Sequence, residues 1–199
     1  MAKSLVIAEK YPAACDIAKV LQCTEKKDGY IEGERYIITW ADGHLIGFQY
    51  PEEYNPAYKE WKLEDLPLKF DPEKNLKVLE GKEKQFDIVK RLIQGTETDR
   101  IINAGDAGRE GYLLQYWIYK MAGNRKPVKV LWVSSLTEDA ILQAFSNLHD
   151  EDEFEVKIKK IINGDLPNLT EKAYEVAYQR RLEVIGEKLR DVYEEVMKM

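Results

Sequence analysis

The stretch Arg100–Gly111, RIINAGDAGREG, constrains this chain more than any other. An apolar run ends in a small residue, glycines frame an acid in a turn, and Arg109-Glu110 open a helical face marked by Leu113, Leu114, Trp117, Ile118 and Met121. This pattern reads as strand, tight turn, helix. The start of the chain repeats it. Ser4–Ala8 reads as a buried strand, Glu9-Lys10 follows, Pro12 suits a first helical turn, and Ala13, Ala14, Ile17, Ala18 and Leu21 recur at helical spacing. Further strands are expected at Tyr36–Ala41 and Val128–Val133, and a helix over Lys82–Ile93. Ser135 and Glu138 have capping-box spacing ahead of Ile141, Leu142 and Phe145. Tyr50–Asp71, rich in Pro, Tyr and charge, reads as a long ordered loop. Continuous apolar strands alternating with helices predict an α/β fold, a mostly parallel sheet flanked by helices with right-handed crossovers. That domain is expected over residues 1–148. Residues 149–199 read as an acidic linker and a C-terminal helical segment, whose pattern runs from Thr170 to Met199.

In open α/β sheets, ligands bind at the carboxyl ends of the strands. Asp106 and Glu110 are expected to project there, and Glu9, ending the first strand, to meet them. Three converging carboxylates repel one another unless a cation neutralises them. Oxygen-only ligation suits Mg2+, which keeps several waters and takes few protein carboxylates. Lys10 and Arg109 add positive charge suited to a phosphate. Taken singly, an acid after a strand is more often a turn or cap residue. The combination is more specific.

Composition narrows the partners. A net charge of −6 over 199 residues argues against gripping nucleic acid across the whole surface and fits a local acidic cluster. Cys15 and Cys23 lack partner histidines for a zinc site, and two cysteines build no disulfide framework. With no apolar run of membrane length and no signal-peptide core after Met-Ala-Lys-Ser, a cytoplasmic protein without a membrane partner is expected.

Several segments, in order over residues 3–148, resemble type IA DNA topoisomerases of the topoisomerase III kind. Leu5–Lys10 is similar to their IAEKP opening, with Tyr11 here before the proline. Thr39–Leu45 resembles TWxxGHL, Pro51–Tyr54 and Trp61 through Pro67 resemble the following loop, Lys84-Gln85 a KQ pair, and Leu131–Thr137 the LWISSLT run. Asp106–Tyr112 resembles the metal motif DxDREGE or DxDREGQ. The resemblance implies a Toprim (Rossmann-like) fold. Glu9 is then the glutamate near the scissile phosphate and the metal, Asp106 the first acidic ligand and Glu110 the last, with Lys10 by the phosphate. His44 falls in a motif near the active site, with a structural role equally open. The motif's middle acid is Gly108 here and its last position is Tyr112, so Mg2+ binding is expected to be weak, with Asp42 a candidate for the lost charge. The family's cleaving tyrosine sits in an arginine-rich segment reading TRTDS-x-Y, and none of the 12 tyrosines here has that setting. The implied function is the metal-binding, phosphate-positioning part of an enzyme that cleaves and rejoins single DNA strands. Its partners would be single-stranded DNA and the remaining topoisomerase domains, and this chain is expected to be inactive alone. A freestanding Toprim nuclease or primase-like protein, and a noncatalytic DNA- or protein-binding module, are the alternatives.

Overall fold

A computed structural model describes residues 2–60, 62–71, 74–106, 109–133 and 135–151, with Arg109 described by its backbone alone. In chain order the elements are β1 (Lys3–Ala8), α1 (Tyr11–Val20), β2 (Glu25–Lys27), β3 (Tyr30–Glu32), β4 (Tyr36–Trp40), β5 (Ile46–Phe48), α2 (Pro51–Tyr54), 3-10 turns at Pro56–Lys59 and Leu63–Asp65, β6 (Leu76–Val78), α3 (Glu83–Gln94), β7 (Thr98–Ala104), α4 (Arg109–Met121), β8 (Val128–Val130), α5 (Glu138–Ser146) and β9 (His149–Asp150). The helical pattern expected over 170–199 lies outside the described residues.

The main sheet has the order β2-β3-β4-β1-β7-β8-β9. Its centre, β4-β1-β7-β8, is parallel, and β2, β3 and β9 are antiparallel additions at the two edges. This is a mixed α/β fold with a mostly parallel central sheet. The two central strands are apolar on both faces because helices cover both. Leu5, Ile7 and Ile101 pack with Phe86, Val89, Leu92 and Ile93 of α3 and Ile118 and Tyr119 of α4. Val6, Ala8, Ile102 and Ala104 face Ala14, Ile17 and Ala18 of α1 and Ile141 of α5. Leu5 and Ile7 are fully buried, each worth about 1.5–3 kcal/mol on the scale of side-chain transfer. The register pairs Leu5 with both Ile37 and Ile101, and Ala8 with both Trp40 and Ala104, so β1, β4 and β7 end level with one another.

Three local expectations are corrected. The Ser135–Glu138 capping box does not form: the residue before α5 is Thr137, without a side-chain cap, and Ser135 Oγ accepts the Thr137 N–H at 3.4 Å. The strand expected over Val128–Val133 stops at Val130. His149-Asp150, the start of the expected linker, instead form the edge strand β9 against β8. The long loop is held by short helical turns and by rings: Phe48 meets Phe70 and Trp117, each at 4.8 Å between centroids. Among the described residues no helix is long and apolar enough to cross a membrane.

Candidate metal and phosphate site

Because β1, β4 and β7 end level, the segments after them meet at one edge of the sheet. Glu9 and Lys10 leave β1 and enter α1, where Pro12 lies in the first turn. Asp42-Gly43-His44 leave β4, and the Gly43 N–H donates to the Glu9 carbonyl at 3.0 Å. That turn needs positive φ at both Asp42 (48°) and Gly43 (77°), a conformation that Asp tolerates better than most residues and Gly takes freely. Gly105-Asp106 leave β7.

Two of the expected ligands are brought together. The Asp106 N–H donates to Glu9 Oε2 at 3.3 Å, and Lys10 Nζ lies 3.1 Å from Glu9 Oε1. The Glu9 carboxylate is mostly hidden, at 15% exposure, while Lys10 is 64% exposed. Burial pushes the Glu9 carboxyl upward, but the hydrogen bonds from Lys10 and with Asp106, with the Lys10 charge, bring it below its ordinary value. The Asp106 carboxyl is raised, first by its hydrogen bond with Glu9, then by burial and the Glu9 charge. Lys10 is raised by its bond to Glu9 and that carboxylate's charge. Of the two carboxyls, Asp106 is thus the one that takes up a proton more readily.

Glu110 stands apart. It is the second residue of α4, its carboxylate is 82% exposed, and His44 Nε2 lies 3.8 Å from it. Asp42 is ion-paired to Lys82 rather than turned to the pair. Arg109 opens α4, and its side chain, like Ala107 and Gly108, lies outside the described residues. Among the described residues no three His, Cys, Asp or Glu side chains converge closely enough to hold a metal ion. Tyr112, at the motif's last position, donates to Glu151 Oε1 at 2.8 Å, and Tyr119 donates to the same carboxylate.

Three contributors have no assigned role in the sequence reading. Gly111 lets α4 press on the Asp106 backbone, since a Cβ there would lie 2.5 Å from the Asp106 carbonyl oxygen. Asn103 Oδ1 accepts the Gly105 N–H at 3.0 Å, and Gln115 Nε2 donates to the Ala8 carbonyl at 3.3 Å. A signal for Gln115 exists: it precedes Ile118 and Tyr119 by three and four residues, so it lies on the buried face of the helix.

The Toprim domain model matches residues 4–136. Relatives named DNA topoisomerase 3 include those of Bacillus thuringiensis (strain Al Hakam), 50% identical over 149 residues, covering 74% of this chain and 20% of that protein. Another, from Bacillus subtilis (strain 168), is 44% identical over 155 residues, covering 78% of this chain and 21% of the relative. The chain thus spans about a fifth of the length of the curated relatives it matches. Among solved structures, full-length topoisomerase I from Thermotoga maritima aligns with a TM-score of 0.49 and 24% identity, over 75% of this chain and 21% of that one. With the domain model covering most of its length, this chain belongs to the Toprim family.

Proposed function

We propose that the chain supplies the magnesium-holding, phosphate-positioning part of a type IA DNA topoisomerase of the topoisomerase III kind. The observation that carries this reading is the contact of Glu9 with Asp106 beside Lys10 at the carboxyl edge of the sheet. The relatives named DNA topoisomerase 3 support it.

The residues fit Mg2+ in one particular way. Two adjoining carboxylates, with no third converging on them among the described residues, suit a cation that takes one or two protein carboxylates and completes its shell with phosphate oxygens and water. Glu9 and Asp106 would hold it, with Glu110 reaching from the first turn of α4. The ion would neutralise charge on the DNA phosphate. Lys10, exposed and held by Glu9, would face the phosphate, and Arg109 would add a second cation from the start of α4. Asp106 would hold the cation as a carboxylate, so affinity is expected to fall as pH drops into the carboxylate range, where its raised carboxyl is protonated first. In this reading the strand-cleaving tyrosine comes from another domain, and single-stranded DNA lies along this edge.

Calorimetric titration with MgCl2 tests the site. Modest affinity is expected, abolished in Asp106→Asn and strengthened in Gly108→Asp, which restores the family's middle acid. Tight binding that survives Asp106→Asn would reject the site.

A further inference from the structure

Four polar side chains are buried among the described residues: Thr39, Thr98, Asn103 and Gln115. The threonine hydroxyls are satisfied, Thr39 by the Gly29 carbonyl and Thr98 by that of Leu92. The two amides are different. Asn103 is 2% exposed and Gln115 1%, and each keeps one atom, Asn103 Nδ2 and Gln115 Oε1, without a hydrogen-bond partner. A half-satisfied buried amide is less stable than an apolar side chain of the same size, so the bonds it does make must matter.

Those bonds fall at equivalent places on neighbouring strands. Gln115 holds the carbonyl of Ala8, the residue before Glu9, and Asn103 holds the N–H of Gly105, the residue before Asp106. Each bond also fixes an amide's orientation, because Asn103 must present oxygen and Gln115 nitrogen. The atoms left over are therefore one donor and one acceptor. Both side chains border Gly105, where an added Cβ would lie 2.9 Å from Gln115 Cγ. The leftover groups are complementary in kind, a donor and an acceptor on either side of Gly105.

We infer that Asn103 and Gln115 form a buried amide clamp that sets the spacing of the β1 and β7 ends, and that they are positioning residues for Glu9 and Asp106. Their role is to hold the backbone on either side of the site, at Ala8 and Gly105. Gln115 ties α4 to the last residue of β1, so the helix that carries Glu110 and the strand end that leads into Glu9 move together.

Hydrogen exchange in metal-free protein tests the clamp separately from the magnesium reading, on whose site it acts. In the unaltered chain, the side-chain NH2 hydrogens of Asn103 and Gln115 should exchange at least about tenfold more slowly than those of exposed Gln143. Equal rates would overturn the clamp. Gln115→Met keeps length and removes the donor. Exchange at the Asp106 N–H should then speed up about tenfold while Val6 and Ile38, at the sheet centre, stay protected. Equal acceleration at all three, or none at Asp106, would mean that Gln115 merely fills space. Asn103→Leu cuts the other end, and the same pattern is expected if Gln115→Met does not fold. In a second arm, Gln115→Met should weaken Mg2+ binding about tenfold, a ratio set by roughly one lost hydrogen bond. Unchanged Mg2+ affinity in a variant with a loosened Asp106 N–H would refute the positioning role. If the unaltered chain binds no Mg2+, the proposed function fails, and the exchange rates still decide the clamp.

Discussion

A methyl group added at Gly111 would lie 2.5 Å from the Asp106 carbonyl oxygen and 2.8 Å from its nitrogen, both backbone atoms that cannot swing aside. Gly111→Ala must push α4 off the turn, and overpacking of this kind costs about 1–3 kcal/mol, readable as a lower urea midpoint. A second prediction at this scale concerns charge. Asp106 has a raised pKa, so its contribution to stability is full below the unfolded-state value and is lost as pH climbs through the folded one. Glu9 is lowered, so its contribution is present above the unfolded-state value and is lost as pH falls through the folded one. Near pH 7 Asp106 is thus the costly member of the pair. Asp106→Asn removes that cost and keeps a donor towards Glu9. The variant should be more stable than the parent at pH 7, by no more than about 1 kcal/mol given solvent screening, and the gain should vanish as the medium is acidified. Urea titrations at both pH values check this, and a loss of stability at pH 7 would contradict it.

Among the elements, α3 shows how a motif that looks functional acts through packing. Gln85 Nε2 lies within bonding distance of the Gly29 carbonyl (3.1 Å), Thr39 Oγ1 (3.2 Å) and the Trp40 carbonyl (3.0 Å). One side chain thereby ties α3 to the β2–β3 turn and to the end of β4, just before the Asp42-Gly43-His44 loop. Gln85→Ala should cost about 1–3 kcal/mol, because it takes a side-chain donor from the part-buried Trp40 carbonyl and leaves the Gly29 carbonyl to the Thr39 hydroxyl. Thermal unfolding measures it, and the loss should exceed that of Lys84→Ala, whose partner Asp28 is exposed. The same elements mark what the sequence makes legible. β1, β7 and the four helices α1, α3, α4 and α5 are readable because long apolar runs and helical periods survive burial on two faces. The meeting of Glu9 with Asp106 follows from each ending such a run. The β2–β3 hairpin escapes that reading because Glu25, Lys26 and Lys27 are all exposed and show no alternation, although Asp28-Gly29 is a hairpin-turn dipeptide. The failed cap at Ser135 shows a local pattern overruled by where α5 must start to place Ile141 against Ile17 and Ala18. Glu110 shows the limit for the site: spacing puts it in the first turn of α4, but whether its carboxylate reaches Glu9 depends on the helix axis, which a sequence does not carry.

For the whole molecule, the decisive question is whether any tyrosine present can act as the nucleophile. A phenol attacks phosphorus readily only when its proton is easily lost or taken by a neighbouring base. Tyr112 is pushed up by burial and then by its bond to Glu151, and Tyr119 likewise, so both hold their protons more firmly than a free phenol. Tyr11, beside Lys10, is also raised, chiefly by its hydrogen bond with Cys15, and its ring stacks edge-on against Trp40 at 4.7 Å. None of these three is activated by the acidic pair. A net charge of −6 further weakens any grip on DNA outside the Lys10 and Arg109 edge. The chain alone is therefore expected neither to relax supercoiled plasmid in MgCl2 nor to form a covalent protein–DNA adduct. Mixing it with the tyrosine-bearing domains of a topoisomerase 3 relative should restore relaxation, and Glu9→Gln or Asp106→Asn in this chain should abolish the restored activity. An adduct at Tyr11 or Tyr112 in the chain alone would overturn this division of labour, and cleavage without an adduct would instead identify a nuclease with water as nucleophile and Glu9, the more acidic carboxylate of the pair, as its base.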